Sequence, residues 1–169
     1  ALDIDEKILP TKPTLPYNVI IDKINSGEIK ALWIVATNPI VSWINNLDFK
    51  KAAEKLEFLV VQDIYSDTDT ARYCDLFLPS TNGLKKEGVI INTERRLSKL
   101  DPVLPKMENE LSDYDIDLGI GEALGMGKLL DKWRTPEIAF NTIKQCTKGT
   151  PCDITGVTYE NLKNSRGIQ

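Results

Sequence analysis

Apolar residues gather along this chain in three short runs of strand length, "ALWIVAT" (31–37), "FLVVQD" (58–63) and "DLFLP" (75–79). The first run shows no alternation, which predicts a strand covered on both faces, as in a parallel sheet. Ahead of it, "YNVIIDKIN" (17–25) sets Val19, Ile20 and Ile24 at helical spacing, with Gly27 as a C-terminal stop. "TNPIVSWINNLDFKKAAEKL" (37–56) predicts a polar turn, a short segment and a helix ending near Leu56. "DTDTARYC" (67–74) predicts a short helix with good N-cap residues. Strand, helix, strand, helix, strand at this spacing is an α/β signature. The expected fold is a doubly wound, mostly parallel sheet flanked by helices, Rossmann-like in character.

The pattern changes beyond residue 80. "EGVIINTERRLSKLDP" (87–102) reads as a hairpin excursion turning near Asn92-Thr93, and ion pairing is the favoured use of "TERR" (93–96). "SDYDIDLGIGEALGM" (112–126) predicts a helix capped by Ser112 or Asp113. In "TPEIAFNTIKQCTKG" (135–149) Thr135 caps, Pro136 takes the first helical position and Gly149 ends the helix. "TYENLKNS" (158–165) supplies a last short helix. Residues 1–16 hold three of the nine prolines, Pro10, Pro13 and Pro16, and read as an extended arm. The expected organisation is that arm followed by one α/β domain over 17–169.

Composition narrows the function more than the fold. Of 169 residues, 41% are hydrophobic and 27% charged, enough to bury a core. The net charge of -4 and the lack of basic blocks argue against nucleic acid as the main partner. No apolar stretch approaches the ~20 residues that span a bilayer, and no secretory signal is visible. Cys74, Cys146 and Cys152 suggest a reducing compartment, not a disulfide framework. The chain has no histidine, so the commonest general base and metal ligand are missing. Cys146-x5-Cys152 lacks the spacing of a zinc site or cluster loop. A start at Ala1 without Met, and an end on Gly167-Ile168-Gln169, read as a processed or excised piece.

In an open parallel sheet, ligands bind beyond the carboxyl ends of the strands. Two polar residues fall there. Asn38 follows the first strand and is a ligand contact or makes an Asx-turn before Pro39. Asp63 ends the second and either accepts ribose hydroxyls or caps a loop. Lys86 of "KKEG" either neutralises a phosphate or stands solvated. Asp113 either pairs with a guanine edge, two acceptors facing two donors, or serves as a plain N-cap. No GxGxxG or GxxxxGK[ST] loop occurs, and the glycines of "GIGEALG" (119–125) read as helix packing sites. An ordinary nicotinamide or ATP site is therefore not expected.

Taken in order, "GEIKALWIVATNPIVSW", "LEFLVVQDIYSDTDTARYCDLFLPS", "KKEGVIINTERRLSKL", "SDYDI" and "GTPCDITGVTYENL…RGIQ" resemble the molybdopterin oxidoreductases, the bis(molybdopterin guanine dinucleotide) enzymes. The resemblance runs from about residue 13 to the end. The closing segment is most similar to assimilatory-type cytoplasmic nitrate reductases, and formate dehydrogenase catalytic subunits share the earlier motifs. The resemblance implies an internal domain of a longer catalytic subunit that holds one guanine dinucleotide tail. Its cofactor-binding residues carry over to Asn38, Gln62, Asp63, Lys86 and Asp113. Asp63 then meets ribose or guanine, Lys86 a polar edge of the cofactor and Asp113 the guanine edge. The chain departs from the family where relatives often show Tyr-Pro-Thr and it has Tyr65-Ser66-Asp67. Gly83 and Lys85 also stand where an aromatic residue and a Glu are usual.

The resemblance also implies that the [4Fe-4S] cluster, the molybdenum ligand and the substrate pocket lie in other domains. Those domains are the expected partners, along with an electron donor of unknown identity. No catalytic residue or metal ligand is expected in this chain, and no turnover from it alone. Two other readings stand beside this one: the equivalent domain of a formate dehydrogenase, and a free-standing, non-catalytic α/β binding module.

Overall fold

The computed structural model describes residues 2, 5, 7, 10–44 and 46–169. They form two compact units, one over Leu9–Ser80 and the other built on Thr81–Gln169. The predicted arm over 1–16 lies partly outside the described residues; positions 10–16 carry no helix or strand.

The first unit contains α1 (Tyr17–Asn25), β1 (Ala31–Val35), α2 (Pro39–Ser42), α3 (Asn46–Ala53), β2 (Phe58–Asp63) and β3 (Leu76–Pro79). α1 stops where Gly27 takes φ 79°, and the amides of Ser26 and Gly27 close onto the carbonyls of Asp22 and Ile24. The three strands form a parallel sheet in the order β1-β2-β3, with Leu32 opposite Leu59 and Val61 opposite Phe77. This is the mixed α/β fold the periodicity predicts. "DTDTARYC" yields only a single 3-10 turn, Ala71–Tyr73, with the Thr68 hydroxyl accepting from the Ala71 amide (3.2 Å).

Ile34, Leu59 and Val61 pack against Ile21 and Ile24 of α1 and Phe49 and Ala52 of α3. Phe49 is completely buried, and its ring meets Trp43 edge-on at 4.9 Å. Burial of such a ring is worth about 1.5–3 kcal/mol. Both helices serve the same sheet face. On the other, Trp33, Val35, Phe58 and Leu76 stay 40–44% exposed. The unbroken run in β1 predicts cover on both faces. Among the described residues, β1 alternates instead between the core side and an open apolar side.

The second unit begins with an antiparallel hairpin, β4 (Gly88–Ile91) and β5 (Leu97–Leu100), as the sequence predicts. α4 (Asp113–Ala123), α5 (Gly127–Leu130), α6 (Pro136–Cys146) and α7 (Tyr159–Lys163) follow. The expected caps are present: the Thr135 hydroxyl accepts from the Ile138 amide (3.2 Å), and Ser112 caps α4. Leu97, Phe140, Tyr159 and Leu162 form the core. Of the glycines read as packing sites, only Gly121 fits, with Leu130 methyls 3.1 Å from where a Cβ would stand. Gly119 faces open space and Gly125 turns the chain at φ 79°.

The "TERR" turn also differs from expectation. Asn92 accepts from the Glu94 and Arg96 amides at 3.0 Å, and Arg96 donates to the Gly167 carbonyl at 3.3 Å. Among the described residues, that hydrogen bonding replaces the expected ion pairs. Gly167 allows Ile168 to exchange both backbone hydrogen bonds with Leu97, at 2.7 and 2.9 Å. Its φ is 116°, and a Cβ would lie 2.7 Å from Ser98 Oγ and 2.9 Å from Arg96 Cδ. A Gly167→Ala change is therefore expected to destabilise the protein by roughly 1–3 kcal/mol, from strain plus overpacking. Thermal unfolding reads the loss, and faster hydrogen exchange at Leu97 and Ile168 locates it.

Candidate functional site

β1 and β2 are parallel neighbours, so the residues that follow them emerge at one end of the sheet. Beyond β1 the chain turns through Ala36, a non-glycine residue at φ 53° whose amide donates to the Gln62 carbonyl (2.9 Å). A left-handed alanine is strained, a feature that clusters at functional sites. Thr37 follows, and Asn38 ends the turn. Its backbone carbonyl accepts from the Val41 and Ser42 amides at 2.9 Å each. Its side chain makes no Asx-turn. Instead Oδ1 accepts from both the amide (3.1 Å) and the hydroxyl (2.6 Å) of Thr70.

Asp63 serves the loop and still keeps an acceptor. Oδ1 takes the amides of Ile64 (2.7 Å) and Tyr65 (3.3 Å), and the backbone carbonyl takes Ser80 (3.0 Å). Oδ2 has no partner among the described residues. One oxygen of the carboxylate is thus committed to the loop, and the other is left without a partner among the described residues. Gln62 is completely buried, so of the three residues predicted at this edge Asn38 and Asp63 are the ones partly exposed.

Lys86 and Asp113, 27 positions apart in sequence, meet as an ion pair in the second unit. Both side chains are about 29% exposed. They line an open cleft of about 520 Å³ with Lys85, Tyr114, Arg134 and Pro136 among its other walls. Lys85 is bound to Glu110 at 2.6 Å, and that lysine's hydrogen bond holds the Glu110 carboxyl below its ordinary range.

Asp113 owes its position to the start of α4. Ser112 Oγ accepts from the Asp115 amide (3.2 Å) while Asp115 Oδ2 accepts from the Ser112 amide (2.8 Å), a reciprocal cap. Burial works to raise the Asp115 carboxyl, but hydrogen bonds from Lys106 and Ser112 outweigh it and hold the group below its ordinary value. A folded value below the unfolded one means that this stabilisation is present above the unfolded value. It is lost as pH falls through the lowered folded value. Ser112→Ala is expected to cost about 1 kcal/mol and to raise the Asp115 titration midpoint, followed through its side-chain carboxyl carbon by NMR.

Sequence reasoning missed two supports of these residues. Thr70, completely buried, reads in sequence only as a helix-capping residue. Glu87, beside Lys86, accepts from the Tyr159 hydroxyl (2.9 Å) and pairs with Lys99 (3.4 Å). Lys99 also pairs with Asp101 and lies 5.2 Å from the centre of the Tyr159 ring. Burial, and then the Glu87 carboxylate, push the Tyr159 phenol upward. The only sequence signal for Thr70 was its place after the second strand of a parallel sheet, at the same end as Asn38.

Elsewhere, a cleft of about 580 Å³ between α1 and α3 is lined by both signs of charge, Asp22, Asp48, Lys51, Glu54 and Lys55 among them. Among the described residues no three His, Cys, Asp or Glu side chains group as metal ligands. No helix there is long and apolar enough to cross a membrane.

With this geometry in place, comparison with known proteins decides the family. Residues 4–122 match the family model for molybdopterin oxidoreductase. The chain belongs to the molybdopterin oxidoreductases. It is 32% identical over 98% of its length to the assimilatory nitrate reductase catalytic subunit of Bacillus subtilis, covering 23% of that protein. It is 37% identical over 82% of its length to the F420-dependent formate dehydrogenase subunit alpha of Methanocaldococcus jannaschii, covering 20% of it. Acetylene hydratase from Pelobacter acetylenicus shares the fold, with a TM-score of 0.68 at 16% identity, over 90% of this chain and 20% of that one. The chain thus spans less than a quarter of these relatives' lengths. As a molybdopterin oxidoreductase segment it carries a parallel sheet with a polar strand-end edge and, in its second unit, a cleft with an ion pair.

Proposed function

We propose that this chain is the part of a molybdenum nitrate reductase that holds one guanine dinucleotide tail of a bis(molybdopterin guanine dinucleotide) cofactor. The observation that carries the reading is the donor set at the strand ends. One neutral amide N–H pair, on Asn38, and one carboxylate oxygen, on Asp63, follow neighbouring parallel strands at one end of the sheet, with no cluster of three metal-ligating side chains among the described residues. Such a set suits a nucleotide, which offers acceptors on phosphate and base and donors on ribose. Asp63, with one oxygen committed, is assigned to ribose hydroxyls. Gln62 supports the edge through its carbonyl, which holds Ala36. Lys86 and Asp113 are assigned to polar groups of the tail. A lysine ammonium has three donors, so pairing with Asp113 leaves others for a ligand.

When bound, the molybdenum–pterin group supplies the oxygen-atom transfer that converts nitrate to nitrite. This chain's residues bind and orient. The longer catalytic subunit would contribute the [4Fe-4S] cluster, the substrate pocket and the surfaces that cover the open apolar sheet face. A cytoplasmic location and no turnover by the 169-residue chain alone belong to the same reading.

Nitrate is favoured because the likeness to a nitrate reductase runs over 98% of the chain, closing segment included. A formate dehydrogenase is the second reading, favoured by the higher identity, 37%, over a shorter stretch. The test is an assay of the longer protein that carries this segment, purified with its cofactor. Reduction of nitrate by a viologen donor, with guanine nucleotide released on acid denaturation, is the expected result. Formate oxidation without nitrate reduction would transfer the assignment to the second reading.

A further inference from the structure

We propose that Thr70 is a positioning residue for the strand-end site. It fixes the Asn38 side-chain amide so that the oxygen is committed and only the NH2 group is left to a ligand. The inference rests on the reading that this edge holds a nucleotide tail.

Three hydrogen bonds converge on Thr70. Its amide (3.1 Å) and its hydroxyl (2.6 Å) both donate to Asn38 Oδ1, and its hydroxyl accepts from the Ile40 amide (3.2 Å). The proton directions follow from chemistry. A backbone N–H can only donate, so the Asn38 atom it faces is the carbonyl oxygen and not the nitrogen. The Ile40 amide only donates, so it takes a lone pair of the Thr70 hydroxyl, and the hydroxyl proton goes to Asn38 because Oδ1, fixed there by the backbone N–H, can only accept. Turning the amide over would set an NH2 group against the Thr70 backbone N–H, which can only donate. Thr70 is 0% exposed, and water cannot relieve such a mismatch.

The consequence is a defined polarity at the sheet edge. Nδ2 of Asn38 has no acceptor among the described residues, so Asn38 recognises a phosphate, ribose or base oxygen and refuses a donor. Asp63 Oδ2, one strand over, accepts only. A ligand is read as acceptor beyond β1 and donor beyond β2. Because Thr70 also holds the Ile40 amide, one hydroxyl ties the loop after β2 to both Asn38 and the start of α2.

The test uses the full 169-residue chain with GDP as probe, in two parts. The first needs no ligand: a scalar coupling across the hydrogen bond from the Thr70 amide nitrogen to Asn38 Cγ is expected in the wild type. Its absence would overturn the proposal. The second is a double-mutant cycle on GDP affinity. Thr70→Val removes the hydroxyl at nearly constant shape and is expected to weaken binding roughly tenfold. Thr70→Ser keeps the hydroxyl and should stay within about twofold of wild type. In an Asn38→Ala background, Thr70→Val should have no further effect, because the residue acts through Asn38. Equal losses in both backgrounds would show a merely structural role and overturn it. If GDP binds no variant, wild type included, the nucleotide reading fails, and the coupling alone then decides whether the lock exists.

Discussion

An Asp63→Asn protein is expected to fold like the wild type and to bind GDP roughly tenfold to a hundredfold more weakly, the range for losing a charge-assisted hydrogen bond. The substitution separates the two oxygens of the carboxylate. An asparagine oxygen can still accept the Ile64 and Tyr65 amides that Oδ1 holds at 2.7 and 3.3 Å, so the loop after β2 keeps its shape. The other position becomes an NH2 donor, uncharged and wrongly poled for a ribose hydroxyl that donates. Unchanged thermal unfolding with weakened binding, measured by calorimetry, is the expected pair of results. Asp63→Ala removes both functions and should lower stability as well. If Asp63→Asn binds GDP as tightly as wild type, Asp63 is a loop acid only.

The second large effect is on stability. Phe49→Ala is expected to destabilise the protein by about 3–5 kcal/mol, the range for emptying a buried aromatic site. Phe49 is completely buried between α3 and the sheet, packed in one cluster with Ile34, Leu59 and Val61. Trp43 meets its ring at 4.9 Å and Tyr17 meets Trp43 at 5.4 Å, so truncation also loosens an aromatic chain linking α1 to the segment before α3. Native folds hold about 5–15 kcal/mol in all, so this variant should lie close to unfolding. Urea titration followed by tryptophan fluorescence reads the change, and a loss under 1 kcal/mol would contradict the assigned core.

The parts of the fold that depend on local chemistry are visible in the sequence. The three apolar runs become the three parallel strands, and Ser112 and Thr135 cap the helices that the pattern places after them. The hairpin turn around Asn92 is visible for the same reason, since turn residues act over a few positions. What depends on distant neighbours is not visible. β1 has the composition of a strand covered on both faces, but which faces are covered depends on where α1 and α3 pack. The "TERR" side chains had no local reason to prefer Gly167, more than 70 residues on, to one another.

The candidate site divides along the same line. Asp63 and Asn38 could be placed at strand ends because parallel strands put their carboxyl ends together. The partition of the Asp63 carboxylate into a loop oxygen and an available oxygen is a matter of distances that no pattern holds. Thr70 and Asn38 are 32 residues apart, and Lys86 and Asp113 are 27 apart. Each pair joins residues with ample local uses, as caps or solvated charges, and only the fold selects between those uses.

The most direct test of the central claim is a titration of the 15N-labelled chain with GDP, followed by amide and side-chain NH2 resonances. Saturable shifts at the Asn38 NH2, at the Ile64 and Tyr65 amides and at Asp113 are the predicted result, with ADP weaker at Asp113. Shifts confined to the cleft between α1 and α3, or none at these four positions, would contradict it.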